Sequence, residues 1–243
     1  MEGLNLMING NSLQRVGDGC HESSTKFLGI YLDEFLTWKH HIKHVKNKIS
    51  RALFAIKQVK HVLPYEILRT LYLALIHPHI SYGILAWGSA NASSLHPIKI
   101  IQKRAIRYVH NSAFNSHTDP LFKSSKIMKI DDLYEYQAAL FMFDYTKHIL
   151  PNSFESVYKF RHEIQKNRLT RQSNQMHITR CRTKFADNLP LFALPKIWNK
   201  WSDSTFSSNM SRNQFKTYLK VNIINKYKDK VKCSNTYCSD CRK

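Results

Sequence analysis

A chain of 243 residues is long enough for one or two domains with real cores. Its 37 Lys and Arg against 17 Asp and Glu give a formal net charge of +20. That excess points to a polyanionic partner, because each phosphate contact releases condensed counterions and adds affinity; charge alone leaves nucleic acid and an acidic membrane surface both open. No apolar run approaches the roughly 18 residues of a spanning helix, and Met1-Glu2-Gly3-Leu4-Asn5 has no basic head of a signal peptide. The cysteine count, 5, is odd and the residues are mostly distant in sequence, which argues against a disulfide scaffold and fits a reducing compartment. The expectation is an intracellular protein, nuclear or cytoplasmic, neither secreted nor membrane-spanning.

In chain order, 4–16 reads as a β-hairpin about Asn9-Gly10, whose positive φ values suit a tight turn. The apolar run Phe27-Leu28-Gly29-Ile30-Tyr31-Leu32 has strand length and ends at Asp33; it would be the third strand of a small antiparallel sheet. Over 39–60, Ile42, Val45, Ile49, Leu53, Ile56 and Val59 recur at three and four, a helical stripe. Pro64 opens a second helix that is apolar on most sides (Ile67, Leu68, Leu71, Leu73, Leu75, Ile76, Ile80), so it is expected at the centre with Leu71 and Leu75 buried. Pro78 lacks the N–H that would bond Ala74, which predicts a kink there. A third helix over 96–110 buries Ile98, Ile101, Ala105, Ile106 and Val109. Polar 111–118 breaks the periodicity and marks a boundary. Asp131 and Asp132 begin a helix where its dipole favours negative charge, with Leu133, Tyr136, Leu140, Phe141 and Phe143 on the buried face. Polar, basic 160–182 reads as loop, and Ser211-x-x-Gln214 as the capping box of a last helix reaching about Tyr227.

The fold class is therefore mainly α. A small antiparallel hairpin or three-strand remnant (1–38) precedes a three-helix bundle (39–112), a further helical region (119–227) and a basic, cysteine-bearing tail (228–243).

Among chemistry-bearing patterns, the third helix carries Lys99, Lys103 and Arg107 at i, i+4 and i+8 with Arg104 beside them and no acidic residue between. Intrahelical pairing cannot explain such a run, and the apolar stripe opposite predicts that these cations face out. Lys39, Lys43 and Lys46, with Arg51 and Lys57, form a similar face on the first helix. Both are candidates for phosphate contact, against the plain alternative of solvated faces. Asp131-Asp132 follows Lys129-Ile130 and reads as a helix cap, not a catalytic pair. No P-loop, His-Glu-x-x-His or nucleophile elbow is present. Cys233, Cys238 and Cys241 could bind zinc but are one thiolate short of a closed site, so a thiol-bearing tail is the favoured reading and zinc the weaker one. His40, His41, His44, His77 and His79 have metal-compatible spacing without an accompanying pattern and are expected as surface or core residues.

Several of these segments, in order, resemble one family. The string KFLGIYLDEFLTWKHHI over 26–42, YLALIHPHISYGILAWG over 72–88, IIQKRAIRYV over 100–109, the segment 121–154, and LPKIWN over 194–199 are similar to the end of the palm, the thumb and the C-terminal region of reverse transcriptases from jockey-like non-LTR retrotransposons. The resemblance implies a thumb that grips the template–primer duplex by its backbone, and a strand at Phe27, Leu28 and Gly29 that positions the primer end. It implies RNA or DNA as partner; a membrane-surface role is set aside because the basic faces lack flanking Trp or Phe. Polymerase chemistry needs clustered carboxylates holding Mg²⁺, and the family's aromatic-x-Asp-Asp hairpin is absent from this sequence; with 25 residues before Lys26, the fingers and catalytic palm are not expected. The reading is a reverse-transcriptase fragment, inactive and without a cofactor of its own. The alternative is a stand-alone basic helical protein that binds nucleic acid without catalysis.

Overall fold

The computed structural model of the chain describes residues 7–8, 11–12, 24–164, 175–202 and 210–228. Among the described residues the strands pair as two antiparallel hairpins. In the first, β1 (Met7–Ile8) pairs β2 (Asn11–Ser12), with Ile8 opposite Asn11, in the expected place.

The second hairpin corrects the sequence reading. The run at 27–33 is not one strand: β3 (Ser24–Phe27) turns back onto β4 (Ile30–Asp33), with Phe27 opposite Ile30. Leu28 and Gly29 form the turn with φ of 44° and 82°, the two positive values a tight two-residue hairpin requires. Hydrophobicity alone concealed the reversal, because Leu28 carries an apolar side chain in a turn position and Gly29 is the only local cue.

Asp33 then makes a sharp corner. It is buried, and its carboxylate accepts from the backbone N–H groups of Thr37 and Trp38, both at 2.8 Å. The bonds hold Trp38 at φ 63° immediately before α1 (Lys39–Val59). This helix buries Ile42, Val45, Ile49 and Ile56 and packs chiefly against α5 (Ala92–Val109).

The expected kinked helix is two helices, α2 (Tyr65–Leu75) and α3 (His77–Ser81), separated at Ile76. Pro78 supplies no N–H to Ala74, so the ladder stops and restarts with proline in the first turn of α3. This segment does not hold the centre with all its faces. Leu75 is 39% and Ile67 47% exposed, and Leu71 is only half-buried. The fully covered residues are Leu68, Tyr72, Ile76 and Ile80. An apolar circumference does not say which side a neighbour will cover, and here one side faces out.

The short α4 (Ile84–Trp87) leads to α5, which starts at Ala92, earlier than expected, and carries Pro97. Beyond it come α6 (Asp119–Ser125), α7 (Ile130–Thr146), α8 (Arg161–Ile164), α9 (Lys184–Asp187), α10 (Pro190–Ser202) and α11 (Arg212–Asn225). The α7 helix buries Leu133, Tyr136, Leu140 and Phe143 as the periodicity predicts, and Phe141 is half-buried. The α11 box is present: Gln214 N–H donates to Ser211 Oγ and Ser211 N–H to Gln214 Oε1. The basic centre of the expected loop, 167–173, lies outside the described residues; around it the stretch read as loop holds α8 and a bridge between Phe160 and Met176. The mainly α class holds. One hydrophobic cluster runs from Ile42 through Tyr72, Trp87 and Ile106 to Phe143, Trp198, Phe215 and Tyr227, and burying each large side chain contributes about 1.5–3 kcal/mol.

Candidate nucleic-acid interface

Several polar and aromatic residues of the quoted segments join one element to another. Around the β3–β4 turn, Tyr82 OH donates to Leu28 O at 2.5 Å and Trp87 Nε1 donates to Tyr82 O at 2.9 Å. Gly83 sits at φ +60°, a backbone conformation that favours glycine, and a Cβ there would also push on the movable end of the Ile30 side chain, 2.5 Å away at Cδ1. The His41 ring is buried and stands edge-on to the Trp87 indole at 5.3 Å, while its Nδ1 accepts from Tyr31 N–H at 3.4 Å. Burial first, then the nearby His44, lowers the His41 pKa to about 4; the imidazole is neutral. The hairpin is thereby bolted to α1 and α4.

A second node is Gln102. Its Nε2 donates to Tyr72 OH and Met128 O, and its Oε1 accepts from Ile130 N–H, all at 3.0 Å. It ties α5 to α2 and to the entry of α7. A third is Asn199, whose side chain brackets the Met176 backbone, accepting from its N–H at 2.7 Å and donating to its carbonyl at 2.9 Å. Sequence reasoning passed over all three roles. For Gln102 a signal was present: it shares the apolar stripe of Ile98, Ala105 and Val109 at helical spacing, and a lone amide there must find partners inside.

The candidate cations divide accordingly. Lys39, Lys43 and Lys46 are exposed on α1, on the flank away from Ile42, Val45 and Ile49. Arg104 on α5 is exposed too. Two members of the α5 run depart from the expected outward face. Lys99 Nζ pairs with Asp131 of α7 at 2.8 Å, an acid supplied from another helix, which intrahelical spacing could not show. Arg107 is buried, its Nε donating to Ser116 O at 2.9 Å, and so holds the loop after α5. Lys103 borders a cleft of about 350 Å³ together with Lys99, Lys129, Lys228, Asp119 and Asp131; Lys129 pairs with Asp119 at 2.8 Å. At the hairpin, Phe27 and Leu28 are 63% and 74% exposed and Gly29 completes the tip.

Asp131 and Asp132 occupy the first turn of α7, and Asp132 Oδ2 accepts from Tyr227 OH at 2.6 Å; burial raises the Asp132 pKa above the usual carboxylate value. Among the described residues no three His, Cys, Asp or Glu side chains converge as a metal site, so nothing in them fits a two-metal carboxylate centre. Cys233, Cys238 and Cys241 lie outside the described residues. Among the described residues no helix is long and apolar enough to cross a membrane.

The chain is similar, at 27% identity over 137 residues, to the RNA-directed DNA polymerase from mobile element jockey of Drosophila melanogaster, covering 55% of this chain and 15% of that protein. It is 25% identical over 113 residues to the probable RNA-directed DNA polymerase from transposon BS of the same species, covering 45% and 12%. A jockey polymerase of Drosophila funebris is 23% identical over 130 residues, covering 52% and 14%. The matches thus take in about half of this chain but under one sixth of each relative. No family model and no solved structure matches.

Proposed function

We propose that this chain is the palm-edge, thumb and C-terminal part of a jockey-like reverse transcriptase, and that it holds a template–primer duplex by its backbone without carrying out polymerisation itself. The observation that carries the reading is the α1 flank: Lys39, Lys43 and Lys46 are exposed on one side of a helix whose other side is locked into the core by Ile42, Val45 and Ile49. A rigid row of cations at helical spacing suits a regular row of phosphates and is indifferent to base sequence. Lys103 and Arg104 on α5 add further cations, with Lys99 shared with Asp131; Arg107 fixes the loop at Ser116. The relatives, named as RNA-directed DNA polymerases, make RNA–DNA hybrid the partner of choice. In this reading the exposed Phe27-Leu28-Gly29 tip meets the primer end as a turn.

The test is a salt titration of binding to a labelled RNA–DNA hybrid. Affinity is expected to fall steeply with salt. Replacing Lys39, Lys43 and Lys46 together by Gln is expected to flatten the log K against log salt slope by about 2–3, at roughly 0.9 per phosphate contact on duplex DNA. An unchanged slope in a folded triple variant would show this flank to be merely solvated.

A further inference from the structure

A second group of cations is assembled only by the fold. His44, Lys48 and Arg51 follow one another at i, i+4 and i+7 along α1, and by the helical repeat they lie on the other side of the buried stripe from Lys39, Lys43 and Lys46, so Arg51 does not share the face on which the sequence reading grouped it. Lys26 stands opposite Tyr31 in the β3–β4 register, so both side chains rise from one face of the hairpin. The Tyr31 ring packs on the His44 ring at 4.9 Å, which brings Lys26 to the helix. His79 arrives from α3, which packs on α1. Three separate elements thus deliver five basic side chains to one place. Lys48, Lys26, His79 and Arg51 each bear on His44 with positive charge, and His79 in turn feels Lys48. Of the remaining titratable groups nearby, Tyr31 belongs to β4 and His41 lies on the buried side of α1, while the charge felt by His77 of α3 is Lys220.

Like charges gathered at one site repel, and two consequences follow. Partial burial first, and then these neighbours, hold both imidazoles below the ordinary histidine range, so the histidines are neutral at pH 7. An anion at the centre reverses the second effect, since a nearby negative charge favours the imidazolium.

We infer that Lys26, His44, Lys48, Arg51 and His79 form a receptor for backbone phosphates of nucleic acid, in which the lysines and arginine attract the strand and the two histidines take up protons as it docks. The inference rests on the proposed backbone grip and adds to it a second contact site, at the hairpin–α1–α3 junction, with a pH dependence. Binding then tightens as pH falls, with up to about a tenfold change per pH unit for each proton taken up.

The experiment uses the full chain and a short labelled RNA–DNA hybrid at constant ionic strength, from about pH 7.5 to about pH 5.5, across the ordinary histidine range. The wild-type Kd is expected to fall by about tenfold more over this range than that of the His44→Gln/His79→Gln variant. The Lys26→Gln/Lys48→Gln/Arg51→Gln variant is expected to lose about 2–3 from the salt slope. Because substitution at His44 removes a ring contact with Tyr31, the unmutated chain supplies a second readout: the NMR titration midpoints of His44 and His79 should rise when the hybrid binds. Equal pH dependence in wild type and double variant, or unmoved midpoints, overturns the receptor while leaving the backbone grip standing. Binding to phosphatidylserine vesicles in preference to the hybrid overturns it also, and no binding of the hybrid at any pH sinks both.

Discussion

Replacing Gln102 by Leu tests whether the interior brackets hold the helices in place. The side chain is buried and spends all three of its observed bonds on groups that are themselves inside: Tyr72 OH, Met128 O and Ile130 N–H. Leucine fits the volume but strands those partners, and each abandoned buried group costs about 1–3 kcal/mol. Greater apolar burial by leucine returns about 1–2 kcal/mol, so with three groups stranded the net loss of unfolding free energy is about 1–8 kcal/mol. Urea denaturation of the full chain measures it, with unchanged m-values required for the comparison. The assignment to the Tyr72 hydroxyl has its own check. Tyr72→Phe alone should destabilise by about 1 kcal/mol. In the Gln102→Leu background the hydroxyl is already stranded, so removing it should cost nothing or give stability back. A Gln102→Leu loss below about 1 kcal/mol, or a Tyr72→Phe cost equal in both backgrounds, would refute the bracket.

Leu75→Ala should cost less than about 1 kcal/mol and Ile76→Ala about 2–5 kcal/mol, because the first side chain is 39% exposed and the second fully buried; denaturant midpoints of the pair decide it. His41 titrates near pH 4 when folded, below its unfolded value near 6.5. Between those pH values the unfolded chain binds the extra proton, so the stability this residue contributes is whole above about pH 6.5 and is lost as pH falls toward about 4, to the extent of about 3 kcal/mol. A His41→Gln variant should show a correspondingly flatter stability profile over that window, and an unchanged profile would count against the buried neutral imidazole. With Mg²⁺ or Mn²⁺ the chain alone is expected to extend no primer on an RNA template; dNTP incorporation above a heat-killed control would contradict the non-catalytic reading.

What was legible in the sequence was what depends on periodicity and local chemistry. The stripes of α1 and α7, the box at Ser211 and Gln214, and the helix break before Pro78 are decided within a few residues of chain, and the structure has them where the pattern puts them. The misses share a different cause. The Leu28-Gly29 turn is met by Tyr82, far along the chain, whose hydroxyl donates to Leu28 O. That Lys99 is paired and Arg107 buried depends on Asp131 and Ser116, supplied by segments a sequence window does not contain. Leu75 is exposed because no helix among the described residues covers that side of α2, a fact about neighbours.

The same distinction bears on how a resemblance should be turned into a site. Within the quoted segments, Asp33, His41, Tyr72, Trp87, Gln102 and Asn199 are buried and tied to neighbouring elements, while Gly29, Tyr82 and Gly83 fix the hairpin contact nearer the surface. The cations that face out, Lys39, Lys43, Lys46 and Arg104, fill exposed positions where length and charge are what the surface needs. A backbone grip has this character, since phosphates repeat and counterion release counts charges without regard to their exact placement. The pattern by which such a chain is recognised therefore reports its scaffold, and the binding surface must be found from exposure and charge once the scaffold is in hand. On that ground Lys26, His44, Lys48, Arg51 and His79, which no single stretch of sequence brings together, belong among the candidates as firmly as the α1 and α5 rows that periodicity reveals.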